Sequence, residues 1–162
     1  MGRKMIVVGM ADLNAVKRPG VLTTLGLGSC VGIALYDHVN KIAGLAHAML
    51  PDSNAFVNNT NRAKFVDTCI IDLLAKMKAL GANKIFIKAK VAGGAQMFAF
   101  NSVNDLMRIG DRNVEATLKC LREHGIPIVA SETGANFGRT VELHSEDGRF
   151  VIKTISDGSR VL

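Results

Sequence analysis

CVGIALY (residues 30–36), DHVNK (37–41) and IAGLAHAML (42–50) follow one another, and together they decide how the chain folds. Two apolar runs around a short polar segment are the pattern of an antiparallel hairpin that turns at Asp37-His38-Val39-Asn40-Lys41. Side chains on a strand alternate between faces, so the length of the turn decides which residues share one. With a two- or four-residue turn, paired positions sum to 79: Tyr36 faces Ala43, Ala34 faces Leu45, Gly32 faces His47 and Cys30 faces Met49. Cys30, Gly32 and His47 then lie on one side of the ribbon, with Cys30 and His47 diagonal neighbours roughly 7–8 Å apart at the backbone. Gly32 adds no side chain that would block the imidazole. A three- or five-residue turn would put the pair on opposite faces.

Working outward, MIVVGM (5–10) reads as a short strand, a loop carrying Pro19-Gly20 follows, and VLTTL (21–25) is extended. Pro51-Asp52-Ser53-Asn54 ends the ribbon. A helix over residues 60–80 begins near Thr60 or Asn61, with Phe65, Cys69, Leu73, Met77 and Leu80 at helical spacing and Gly81 as its stop. KIFIKAKVA (84–92) alternates as a half-buried strand does, and Gly93-Gly94 breaks it. Asp111 is the expected N-cap of a second helix through His124, with Val114, Leu118 and Leu121 inward and Gly125 after it. PIVASE (127–132) predicts a strand, and residues 140–155 a hairpin turning at Glu146-Asp147-Gly148. Because helices do not regularly separate the strands, a doubly wound sheet is disfavoured. The pattern predicts one α+β domain over residues 1–162, with antiparallel or mixed sheets and two main helices outside.

Composition narrows the class. Hydrophobic residues make up 48% and charged residues 21%, which is enough to build a core and argues against disorder. No apolar run is long enough to cross a bilayer and the N-terminus lacks a signal-peptide pattern, so a cytoplasmic protein is expected. The net charge of +6 is spread singly over residues such as Arg62, Lys76, Lys88 and Arg108. No basic strand is interleaved with aromatics, so an acidic protein partner suits the excess better than nucleic acid.

Three cysteines, at 30, 69 and 120, form no CxxC pair and no even framework, which argues against disulfides and zinc. Cys69 and Cys120 fall within helical patterns among leucines and read as small buried hydrophobes. Cys30 differs, because it follows the glycine-dense stretch Leu25-Gly26-Leu27-Gly28-Ser29. A thiol beside an imidazole supplies a nucleophile and a proton carrier, and a thiolate can attack a carboxamide to form a thioester. Backbone N–H groups of Gly28, Ser29 or Cys30 can hold the oxyanion, and Thr24 is the candidate for orienting the imidazole. The same residues also read without chemistry: Cys30 and His47 as core packing, the glycine run as a tight connection, and Gly93-Gly94 as a bulge. His38, His124 and His144 show no metal-ligand spacing, and no cofactor is called for. GLGSCVG is no phosphate loop, since no Walker lysine follows and it feeds a strand.

The blocks TTLGLGSCVGIALYD, LAHAMLPDS, KVAGGAQMF, IGDRNVEA and SETGANFGRTV, in collinear order from about residue 6 to about residue 155, resemble the chemoreceptor glutamine deamidase family, CheD. That resemblance implies an enzyme converting selected glutamines of methyl-accepting chemotaxis receptors to glutamate, with Cys30, His47 and Thr24 as its catalytic residues. It implies a fold similar to the cytotoxic necrotizing factor deamidases, a β-sandwich-like core with helices packed outside. Family members also bind CheC, a phosphatase of the response regulator. Gly93, Gly94 and Phe98 fall in a block expected to border the substrate or partner surface. Ala135 departs from the pattern, which has a second glycine after Gly134. Two functional classes follow: a receptor glutamine deamidase, with methylesterase action on the same sites open to it through one thioester, and a binding module docking to CheC and receptors.

Overall fold

The computed structural model describes residues 4–97 and 108–162. Among the described residues, ten strands and two α-helices alternate irregularly: β1 (Lys4–Val7), β2 (Asp12–Lys17), β3 (Gly20–Leu27), β4 (Val31–Asp37), β5 (Ile42–Ala48), α1 (Val66–Ala79), β6 (Ile87–Gly93), α2 (Ile109–Glu123), β7 (Ile128–Thr133), β8 (Arg139–His144), β9 (Phe150–Thr154) and β10 (Gly158–Val161). They form two five-stranded sheets, ordered β1-β3-β8-β9-β10 and β2-β5-β4-β6-β7. Both are mixed, because β1 runs parallel to β3 and β6 parallel to β7 while the other pairs are antiparallel. This is the α+β architecture the pattern predicts.

Alternation along the central strands divides the core in two. Val31, Ile33 and Leu35 of β4 face the helices and pack with Val66, Cys69, Ile70, Leu73 and Met77 of α1 and Leu121 of α2. Cys30, Ala34, Ala43 and Leu45 face the other way and meet Leu22, Leu27, Val141, Leu143 and Phe150 of the outer sheet. The molecule is thus layered helix, sheet, sheet, and the predicted site lies between the two sheets.

Several local expectations change. Residues 12–17, read from sequence as loop, form β2 along the edge of the β5 strand; Asp and Asn disguise a polar–apolar alternation that pairing with β5 stabilises. The helix expected from Thr60 starts at Val66, because Asn61 caps a separate 3-10 turn over Arg62–Lys64, its side chain accepting from the Ala63 N–H. Asp111 does not cap α2 but sits in its first turn, where a carboxylate complements the helix dipole. The inward face of α2 is more polar than predicted: Asn113 and Thr117 are fully buried with Leu121, whereas Leu118 is half-buried in a surface groove with Val114 and Arg122. The terminal strand β10, paired with β9, was also not foreseen.

Candidate active site

The ribbon has the register that brings Cys30 and His47 to one side. Gly32 pairs with His47, Val31 with Ala48 and Tyr36 with Ala43, each pair summing to 79 across a four-residue turn. The ladder stops one pair short of the expected Cys30–Met49 partnership. Met49 instead donates its N–H to Lys64 O at 2.8 Å, which turns the chain away from β4. Gly32 also has a different part from the one expected: a Cβ there would lie 2.9 Å from Leu27 Cδ1, so its bareness makes room for Leu27.

His47 projects into the space between the sheets with none of its surface exposed. There Thr24 of β3 meets it from the other sheet, Oγ1 lying 2.7 Å from Nδ1. The same hydroxyl contacts the Val8 carbonyl at 2.7 Å. A carbonyl only accepts, and a hydroxyl has one proton, so Thr24 donates to Val8 and accepts from Nδ1–H. Neutral His47 therefore carries its lone pair on Nε2. That atom is buried and has no hydrogen-bond partner among the described residues. Burial pushes the His47 pKa below its ordinary value and the Cys30 thiol above its own, the latter partly offset by a backbone hydrogen bond. Both shifts favour the uncharged forms, a neutral imidazole and a neutral thiol.

Cys30 retains 8% of its surface, at the bend between β3 and β4. A bulge precedes it: Thr24 pairs with Val141 and the next pair is Leu27 with Arg139, so β3 carries one extra residue, with Gly26 at φ 70°. Each carbonyl of the bend is held. Gly28 O accepts from Ala95 N–H and Cys30 O from Gly94 N–H, both at 2.8 Å. Asn113 Nδ2 donates to Ser29 O at 3.0 Å and to Met49 O at 2.9 Å. Of the backbone donors singled out in the sequence, Gly28 N–H is engaged by Gly26 O. The Ser29 N–H has no backbone acceptor among the described residues, and the Cys30 N–H lies against its own sulfur, the backbone contact that partly offsets the raised thiol pKa.

Gly93 and Gly94 sit with their backbone against this bend. Gly93 has φ 103°, and a Cβ on it would fall 2.3 Å from Cys30 O. Its own carbonyl accepts from Gly134 N–H at 3.0 Å, and Gln96 N–H donates to Ala135 O at 2.8 Å, so the 134–135 loop stacks on the same segment. Ala135 adopts φ 61°, the left-handed conformation for which glycine is suited. Buried Arg139 anchors that loop, donating to Gly134 O at 3.0 Å and pairing with Glu132 at 2.9 Å. Met97 lies over Gly28, its Cγ 3.2 Å from where a Cβ would be. Phe98 lies outside the described residues. Cys69 and Cys120 are core residues of the helix layer; burial raises both thiols, that of Cys120 to about 11. Sequence reasoning missed Asn113 and Arg139. The only signal for Asn113 was a polar residue on the inward stripe of an otherwise amphipathic helix.

A family model described as CheD chemotactic sensory transduction matches residues 49–154, beginning just beyond His47. The chain is 53% identical over 162 residues, the whole of both proteins, to the probable chemoreceptor glutamine deamidase CheD of Caldanaerobacter subterraneus subsp. tengcongensis. It is 54% identical over 157 residues, 96% of this chain and 97% of the relative, to the chemoreceptor glutamine deamidase CheD of Halalkalibacterium halodurans. Among solved structures, a Neisseria meningitidis protein of the DUF152 family shares the fold, with a TM-score of 0.51 at 9% identity over 83% of this chain and 65% of that one. No helix among the described residues is long and apolar enough to cross a membrane. Half of all positions shared with these relatives from end to end, on top of the family-model match, make the chain a member of the CheD family.

Proposed function

We propose that residues 1–162 act as one protein-glutamine deamidase domain whose substrates are glutamine side chains of methyl-accepting chemotaxis receptors, and that Cys30 and His47 carry the reaction. Both relatives compared above bear the name chemoreceptor glutamine deamidase. The observation that carries the mechanism is the unpartnered, buried lone pair of His47 Nε2, with Nδ1 held by Thr24.

As substrate arrives, Nε2 takes the Cys30 thiol proton and Sγ attacks the amide carbon, forming a C–S bond while the carbonyl electron pair moves to oxygen. The N–H groups of Ser29 and Cys30 are the donors on hand for that oxyanion, the latter already turned toward the sulfur. As the tetrahedral species collapses, Nε2–H protonates the departing nitrogen, the C–N bond breaks and ammonia leaves a thioester. Water then gives a proton to Nε2 and adds to the thioester carbon. The C–S bond breaks, the proton returns to sulfur, and glutamate is released. The balance is glutamine plus water to glutamate plus ammonia. Throughout, Thr24 keeps Nδ1–H in place, as it does in the resting site. The same chemistry would relate the protein to the cytotoxic necrotizing factor-type cysteine hydrolases. Docking to a CheC-type phosphatase is the further partnership that family membership suggests.

The test is mass spectrometry of a receptor cytoplasmic fragment incubated with the protein. Each deamidated glutamine adds ~1 Da, and Cys30→Ala should abolish the gain through loss of the nucleophile. Mass gains that persist in Cys30→Ala would exclude the thioester route.

A further inference from the structure

Asn113 comes from α2, on the far side of the central sheet from His47, yet it touches both segments that carry the reacting groups. Its Nδ2 bonds the carbonyl of the residue before Cys30 and that of the second residue after His47. Both partners accept only, so the amide must present its nitrogen to them. The other half of the amide, Oδ1, is buried without a partner among the described residues. A side chain present merely to fill space would not carry such an atom, which destabilises the fold when unsatisfied. The donor half is what this position supplies.

Peptide geometry gives that donor a consequence. In a trans peptide the C=O and the following N–H point in opposite directions. The cis bond among the described residues is Arg18–Pro19, so the Ser29–Cys30 peptide is trans. Holding Ser29 O toward α2 therefore aims the Cys30 N–H away from the helix layer, to the side of the sheet where Cys30 and His47 lie. Without Nδ2 this peptide can turn over, and a carbonyl would then face the developing oxyanion in place of a donor.

We infer that Asn113 is a positioning residue that locks the Ser29–Cys30 peptide in its donating orientation and ties it to the strand end carrying His47. The inference rests on the thioester reading above. Removal of one oxyanion donor lowers kcat by about 10²–10³. Asn113→Ala should show a loss of that size in receptor-fragment deamidation with KM within about threefold, the pattern of an interaction made only in the transition state. Alkylation of Cys30 by iodoacetamide, followed at that residue by peptide mapping, creates no oxyanion: the pH profile shifts upward as the Cys30 N–H leaves its own sulfur, and the rate on the high-pH plateau should stay within about threefold of the unmodified protein. Unchanged kcat in a cooperatively folding Asn113→Ala variant would overturn the inference. So would a plateau alkylation rate that falls by the same factor as kcat, because Asn113 would then act on the thiol.

Should Asn113→Ala fail to fold, the unmodified protein can be tested directly. A peptide bearing glutamic γ-semialdehyde adds its carbonyl carbon to Cys30 Sγ, and the thiol proton passes by way of His47 to the oxygen. The Cys30 amide proton should move strongly downfield when mass spectrometry shows the adduct. An adduct that leaves that resonance in place removes the role given to Asn113 and leaves the deamidase standing. Absence of both adduct and deamidation in the unmodified protein removes the two together.

Discussion

The β4–β5 ribbon carries one fully buried ionisable side chain at each end, and the two are treated in opposite ways. At the turn, Asp37 has every acceptor in use: Oδ1 takes the N–H of Val39 and Asn40, Oδ2 the side chain of Asn40 and the N–H of Asn83. Burial raises its pKa, but the hydrogen bonds outweigh that and hold the carboxyl below its usual range. At the open end, His47 is equally buried and half satisfied, with Nδ1 bonded and Nε2 bare. Asn113 beneath it shows the same imbalance at Oδ1. Asp37 is saturated, whereas the deamidation proposed above gives the bare Nε2 of His47 a use as proton carrier.

Substitution should separate the ends. His47→Leu keeps much of the side-chain reach and removes the orphaned nitrogen, while Thr24 retains its bond to Val8. Deamidation of a receptor fragment should fall by about 10²–10⁴, the worth of a general acid–base. The melting temperature should hold or rise, because an unsatisfied buried group is gone. The unmodified protein should lose stability as pH falls from ~6.5 toward the lower folded pKa of His47, since the folded state binds fewer protons there, and His47→Leu should lack that slope. A variant markedly less stable than its parent would break the comparison.

Asp37→Ala should do the reverse. It strands three backbone donors, and denaturant titration should show a loss of about 3–5 kcal/mol, with deamidation unchanged at temperatures where the variant is folded. The contribution of the intact carboxylate is complete above pH ~4 and is lost as pH falls through its depressed folded value. Lost activity in folded Asp37→Ala would mean that the two ends are coupled.

Thr24 offers a smaller effect on the working end. Thr24→Val leaves Nδ1–H without its acceptor, so kcat should fall by about 10²-fold, and Thr24→Ser should restore most of it. The acid limb of kcat/KM, already below ~6.5 through burial, should move lower still in Thr24→Val, because the imidazolium loses a stabilising acceptor. An acid limb that stays put would show that Thr24 does not orient the base.

The ribbon was legible from sequence because period-two alternation and turn length determine register, and Gly32 does oppose His47. Thr24 could be named from its place upstream, but that it reaches His47 from the second sheet depends on how two sheets stack, which no local pattern encodes. Asn113 was hidden for the same reason: its partners lie 84 and 64 positions away in sequence. The edge strand β2 escaped notice because its pairing with β5, not its composition, makes it a strand. Gly93-Gly94 reads from sequence as a bulge, since glycine marks close approach without saying what approaches; at Gly93 the Cys30 carbonyl does.

The least effect belongs to a position where sequence alone flagged an irregularity. Ala135 holds φ 61° on an exposed loop, and at the other end of the ribbon Lys41 holds φ 55° in the turn. A non-glycine residue in the left-handed region costs roughly 1–2 kcal/mol in the native state. Glycine removes that cost but adds about 0.4–1 kcal/mol of unfolded-chain entropy, so Ala135→Gly should stabilise by no more than about 1.6 kcal/mol. Its exposure leaves no packing to lose, and Ala135 O keeps its bond from Gln96 N–H. Because that bond ties the loop to the Gly93–Gln96 segment behind Cys30, kcat should be unchanged and any shift should appear in KM. Lys41→Gly, strained alike but far from Cys30, should match it in stability and leave both kinetic constants alone. A kcat that falls in Ala135→Gly alone would show that the alanine methyl stiffens the wall behind Cys30.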